Sequence, residues 1–186
     1  MPEPYPHLFH GERVRLARPQ AEDAIVVAQM SDDGEYRRWE DTSYARGMSV
    51  EEARQLISQQ GQDGKSILFH LRTIPEDALI GFVALHDIEW NNQSCTFSIG
   101  IWDANYRDKG YGSEATGLAL NYAFYELNLF RVGLDVIASN ARAIRVYEKN
   151  GFREEGRLRQ AVHRDGKRVD QIIMGILRDE YIGRNA

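Results

Sequence analysis

Residues 99–115 read Ile99-Gly100-Ile101-Trp-Asp-Ala-Asn-Tyr-Arg107-Asp108-Lys109-Gly110-Tyr111-Gly112-Ser-Glu-Ala115. The first residues close an apolar run, 96–102, that reads as a strand. Ala115, Leu118, Ala119, Tyr122 and Ala123 follow at helical spacing, so a helix is expected over about 112–127. A short loop with two basic residues and two glycines joins them. The first N–H groups of a helix lack intrahelical partners, and the helix dipole adds partial positive charge at that end. Glycine lets backbone approach a phosphate closely. The loop therefore reads as an anion cradle whose natural guest is a pyrophosphate. A tight turn with solvated basic side chains is the plainer alternative.

Outward from this stretch, 12–17 alternates as a strand, and Pro19 opens a helix that continues over 23–30. Residues 31–47 are polar, acidic and aromatic without period, a long connection with short helical pieces. Ser49 followed by Glu52 is a capping box that opens a helix to about Gln60. Strands are expected at 66–73 and 79–87. On the far side come a strand at 130–138, a helix at 140–150 closed by Gly151, and a hairpin of 156–164 and 168–177 around Asp165-Gly166. The order is β-α-α-β-β-β-α-β-α-β-β, an α/β (mixed α+β) single domain. Its boundaries are expected at 11–179, with a loose arm at 1–10 and a tail at 180–186.

The 186 residues suit one domain. With 23 Lys+Arg against 28 Asp+Glu, the net charge of -5 argues against a nucleic-acid partner and favours cationic ones. No apolar run reaches the roughly 18 residues of a membrane helix. Pro2, Pro4 and Pro6 stand where a signal peptide would need a basic and then an apolar segment. A cytoplasmic protein without a membrane partner is expected. Cys95 is the single cysteine, which excludes an intramolecular disulfide and a cysteine-built zinc site. The histidines lack ligand spacing, so no metal is expected.

Gly110-x-Gly112-x-x-Ala115 also fits a dinucleotide fingerprint, a weak match alone. The acid that should follow would be Asp135, which lies inside a strand rather than at the end where a ribose would sit. The loop with its basic residues matches better elsewhere. Arg107-x-x-Gly110-x-Gly112, followed by Asn140-x-x-Ala143-x-x-x-Tyr147-x-x-x-Gly151-Phe152, resembles the GNAT superfamily of acetyl-CoA-dependent N-acetyltransferases. Gly151-Phe-Arg-Glu-Glu-Gly156-Arg-Leu-Arg159 and Met174-Gly175 resemble the branch of ribosomal-protein N-terminal and spermidine acetyltransferases.

The resemblance implies a mixed sheet that splays open between the strands at 96–102 and 130–138, with acetyl-CoA wedged into the opening. It implies pantetheine along Ile99, Gly100 and Ile101. It puts pyrophosphate on the amides of Arg107, Asp108, Lys109, Gly110, Tyr111 and Gly112. Asn140 and Tyr147 lie seven residues apart, two helical turns, and so share a face with Ala143 between them. Asn140 suits a pantetheine amide, or simply a helix N-cap. Tyr147 suits the sulfur as general acid, since a phenol of pKa about 10 can protonate a thiolate of about 8–9.

The base is open. Many relatives carry Glu near position 96, where this chain has Thr96. Glu35, Glu40, Asp87, Glu89 or a water chain are the candidates, with Glu35 first. The acceptor, a small amine or a protein N-terminus, is expected against Glu35, Tyr36, Trp39, Glu40 and Asp87, since carboxylates among aromatics suit a cation. A polyamine is one alternative and a CoA-binding module without turnover is another. Cys95 as an acyl carrier and His86 as a proton relay are weighed against plainer roles in the core and at a strand end. The resemblance also implies a possible homodimer.

Overall fold

Period-two strands and turn residues build a seven-stranded sheet in the computed structural model, which describes residues 8–185 apart from 41 and 43. Of Glu35, Glu40 and Asn185 it describes the backbone only. The strands are β1 (Val14–Ala17), β2 (Ile67–Thr73), β3 (Leu79–Glu89), β4 (Ser94–Ile101), β5 (Arg131–Ile137), β6 (Arg153–Arg164) and β7 (Lys167–Leu177). Their spatial order is β1-β2-β3-β4-β5-β7-β6. Every neighbouring pair is antiparallel except β4 and β5.

That parallel pair holds for three rungs only: Ser94 with Arg131, Cys95 with Val132, Thr96 with Gly133. Beyond them β4 runs on to Ile101 and β5 to Ile137, no longer paired with each other. The mixed sheet is therefore splayed, as expected.

Two apolar clusters cover its two faces. On one, α4 (Tyr111–Asn121), a π-helical turn (Tyr122–Glu126) and α5 (Ala141–Lys149) bury Val83, Leu85, Phe97, Leu134 and Met174. On the other, α1 (Ala24–Ser31), α2 (Gly34–Glu40) and α3 (Val50–Gln59) gather Ala24, Val27, Tyr36 and Ala53 against Phe82 and Trp102. At the edge of this second cluster, the Asp23 carboxylate takes His70 Nδ1 at 2.7 Å, the Arg72 guanidinium, and the Gln20 N–H at 2.9 Å. Burial pushes His70 below the usual histidine range, against the pull of Asp23. His70 is thus a neutral ring that donates to a charged carboxylate.

Several local signals act as written. Ser49 and Glu52 exchange their capping bonds at 3.2 and 2.7 Å and start α3. Gly151, at φ +101°, ends α5. Other elements differ in extent. β6 begins at Arg153 rather than 156, because this edge strand is exposed along most of its length and shows no apolar alternation. The segment from 180, expected as a tail, lies within α6 (Arg178–Asn185). Tyr181 anchors that helix, its hydroxyl 3.0 Å from Asn121 Oδ1. Phe9, in the segment expected as an arm, packs on Phe69 and Tyr122. Residues 1–7 lie outside the description.

Candidate active site

The place where β4 and β5 part is a backbone site before it is a side-chain site. In an antiparallel pair, alternate residues turn both backbone groups to the same neighbour. The Trp102 N–H donates to Ile80 O at 2.8 Å, so even-numbered residues of this stretch face β3. Ile99 and Ile101 therefore turn their N–H and C=O groups toward β5, after β5 has left. Buried backbone polar groups need partners. Arg107 Nε takes the Ile101 carbonyl at 3.1 Å. The N–H groups of Ile99 and Ile101 face a cleft of about 170 Å³. Between them Gly100 is fitted to its surroundings, for a Cβ there would overlap the Tyr36 hydroxyl.

At the cradle, Gly110 holds φ +90° as N-cap of α4. A Cβ on Gly112 would point toward Ile101 Cγ1, 3.8 Å away, across the cleft. Arg107 differs from its expected role as a free charge. Besides Ile101 O, it holds Trp102 O at 2.5 Å, pairs with Asp33 at 3.7 Å and lies over the Tyr36 ring. It ties the loop to the end of β4. Lys109 is exposed, and Tyr111 packs edge-on against Tyr106; neither lines the cleft, whereas Asp108, Gly110 and Gly112 do. Arg142, on the first turn of α5, lines it too, 4.0 Å from Asp108.

On α5, Asn140 Oδ1 caps the helix through the Ala143 N–H at 3.2 Å, and both residues line the cleft. Two turns on, Tyr147 is buried against Phe97 and Phe152. Burial, then the nearby Asp135 charge, raises its pKa well above the ordinary phenol value. Tyr147 also lines a second cavity of about 420 Å³ on the α1–α3 side, together with Asp135, Gln171, Thr96 and Ser98. Asp135, which accepts from Gln171 Nε2 at 2.5 Å, belongs to both cavities. Sequence reasoning weighed Asp135 only as a ribose acid. Its period-two placement opposite buried Leu134 and Val136 was the available signal.

Tyr36 and Trp39 line the cleft. The side chains of Glu35 and Glu40 lie outside the described residues. Asp87 is turned outward, its side chain 80% exposed and paired with His86 at 2.9 Å. Cys95 lines neither cavity, and burial pushes its thiol up to about 12. Among the described residues no group of three or more His, Cys, Asp or Glu is placed to hold a metal, and no helix is long and apolar enough to cross a membrane.

A split sheet whose strand N–H groups turn into a cleft beside a glycine-started helix fits a site for an acyl thioester of a nucleotide. The chain belongs to the GNAT acetyltransferases: residues 13–153 match the family model described as "Acetyltransferase (GNAT) domain". It is similar to the spermidine N(1)-acetyltransferase of Vibrio cholerae, 36% identical over 61% of this chain and 67% of that one. The Escherichia coli K12 spermidine N(1)-acetyltransferase is 29% identical over 92% of this chain and 90% of its own. A crystal structure of the Vibrio cholerae enzyme with CoA and spermine superposes with TM-score 0.84 at 26% identity, over 92% of this chain and 99% of that one. The chain is an acetyl-CoA:amine N-acetyltransferase.

Proposed function

We propose that a primary amine attacks acetyl-CoA directly, with Tyr147 as proton donor and Asp135 as the group that receives the amine. The observation that supports this most is that Tyr147 and Asp135 meet where β4 and β5 part, in both cavities at once. Acetyl-CoA supplies the activated acyl group and the thiolate leaving group. The N–H groups of Ile99 and Ile101 serve as strand-like donors to it, and one of them polarises the thioester carbonyl. The amides of 107–112 and the Arg142 guanidinium face its pyrophosphate.

Asp135 faces the incoming ammonium. An amine of pKa about 8–10 is mostly protonated at neutral pH and reaches the site as its ammonium. Asp135 orients that ammonium, and the species that attacks is the neutral amine left when its proton has passed to solvent buffer. Tyr147, with its raised pKa, stays protonated at neutral pH. Against a thiolate of about 8–9 its full ionisation is uphill. It donates a hydrogen bond to the departing sulfur and gives up its proton only as the new amide nitrogen loses one, so the phenol is never left charged. No acyl-enzyme is needed.

The test is thiol release with acetyl-CoA. Tyr147→Phe lowers kcat by about tenfold to a thousandfold, the usual scale for such a donor, with CoA affinity by calorimetry little changed. Asp135→Asn raises KM for the amine more than KM for acetyl-CoA. Unchanged kcat in Tyr147→Phe removes the residue from this role.

A further inference from the structure

α2 spans the place where β4 and β5 part, and each of its ends is fastened to a different half of the sheet. The start is tied to β4. Asp33 Oδ1 caps α2 by accepting from the Tyr36 N–H at 3.0 Å. The other Asp33 oxygen lies 3.7 Å from Arg107, which also holds the carbonyls of Ile101 and Trp102. The same guanidinium lies over the Tyr36 ring, whose hydroxyl is seated against Gly100.

The other end meets the β6–β7 hairpin. β5 pairs with β7 only from Gln171 to Leu177, and the Ala138 N–H adds one bond to Asp170 O at 2.9 Å. Beyond Asp170 the hairpin runs on to the pair Arg164–Lys167 and its turn at Asp165-Gly166. Four residues at strand spacing make this overhang about 13 Å long. Within it Val162 is buried, whereas the rest of β6 is not. At the tip, Asp165 Oδ1 takes Arg38 Nη2 at 2.6 Å, and Arg164 Nε donates to Arg38 O at 3.1 Å. Asp165 and Gly166 have φ of 49° and 72°, the two positive values of a type I′ turn.

We propose that Arg38 and Asp165 are positioning residues of the acceptor site: the hairpin tip fixes the far end of α2, and with it the wall that this segment gives to the Asp135 cavity. This rests on the reading above that the amine binds at Asp135. Arg37 and Thr42 line that cavity, and both follow Tyr36 toward the hairpin end. Tyr36 keeps its own tie through Arg107, so loss of the hairpin contact loosens the amine side more than the thioester side. The side chains of Arg38 and Asp165 are 40% and 77% exposed. An exposed ion pair adds little to global stability. Its effect falls on α2, a helix of seven residues whose other anchor is at its start.

The experiment compares the full chain with Asp165→Asn, Arg38→Gln, Arg38→Lys and the double variant Arg38→Gln/Asp165→Asn. Asn suits a type I′ turn, so Asp165→Asn removes the charge and keeps the hairpin. Thiol release is measured with acetyl-CoA and the best acceptor among spermidine, ethylamine, phenethylamine and the tripeptide Ser-Ala-Ala. In Asp165→Asn and Arg38→Gln, KM for the amine is expected to rise about threefold to fivefold, the range open to an exposed ion pair. KM for acetyl-CoA moves less than twofold. Arg38→Lys stays nearer the parent, and the double variant is no worse than the worse single one. Deuterium exchange of the amides over 34–40 is faster in Asp165→Asn, with the exchange of β2 and β3 unchanged. Equal changes in both KM values, no change in either, effects that multiply in the double variant, or unchanged exchange over 34–40 each overturn the proposal. If Asp165→Asn splits the two KM values but Asp135→Asn leaves the amine KM alone, the amine's placement fails and the anchoring of α2 stands. Thiol release with none of the four acceptors overturns the direct-attack reading, and exchange over 34–40 then decides the anchoring by itself.

Discussion

Arg107 and Asp135 exchange the importance that sequence alone gives them. Arg107 stands in the motif and offers a charge, yet its guanidinium is taken up by Ile101 O, Trp102 O and Asp33. Asp135 stands in an ordinary strand, yet it reaches both cavities beside Tyr147. Cys95 is the opposite case, a reactive residue type in an unreactive setting. A thiol pushed up to about 12 has almost no thiolate at neutral pH. Cys95→Ala is therefore expected to keep thiol-release kcat within about twofold of the parent, and incubation with acetyl-CoA alone leaves the protein mass unchanged. An added acetyl mass that disappears in Cys95→Ala contradicts this. Tyr147 and Asn140 were legible because seven residues make two helical turns whatever the tertiary context. Asp135 was not, because whether a strand residue meets solvent, a neighbour or a ligand depends on where the next strand leaves.

Elements with local start and stop chemistry were also legible. The Ser49–Glu52 box and Gly151 mark helix ends through bonds within a few residues. β6 and α6 were not, since an exposed edge strand has no alternation and a terminal helix rests on one distant anchor, Tyr181. The start of α4 carries a sharp prediction. A Cβ at Gly112 meets nothing closer than Ile101 Cγ1 at 3.8 Å, so Gly112→Val leaves room for the fold and puts its methyl groups into the cleft. CoA affinity by calorimetry is expected to fall at least tenfold, while the far-ultraviolet circular dichroism stays that of the parent. Normal CoA binding in this variant removes the cradle from the site. The same substitution at Gly110 is less informative, because φ +90° strains any side chain there.

At the scale of the whole molecule, the neutral His70 held by Asp23 links stability to pH. Its pKa is depressed below the ordinary 6.5, so below about that pH the unfolded chain takes up a proton that the folded chain refuses. The stability it contributes is present above pH 6.5 and is lost as pH falls through and below that value. The urea midpoint is expected to drop between pH 7.5 and 5.5, and His70→Gln, although less stable throughout, shows a smaller drop over the same interval. An equal drop in both proteins assigns the acid sensitivity elsewhere. The splay has a consequence on this scale too. β1–β4 and β5–β7–β6 are two leaves joined by three parallel rungs, with the rest of that seam left unstitched. A substrate lying along Ile99 and Ile101 does more than occupy a site: it takes the place of the absent strand. Ligand at a hundredfold its Kd stabilises the folded state by about 2.7 kcal/mol. With the thioester placed as proposed, its supply bears both on the rate of this enzyme and on the fraction of it that is folded.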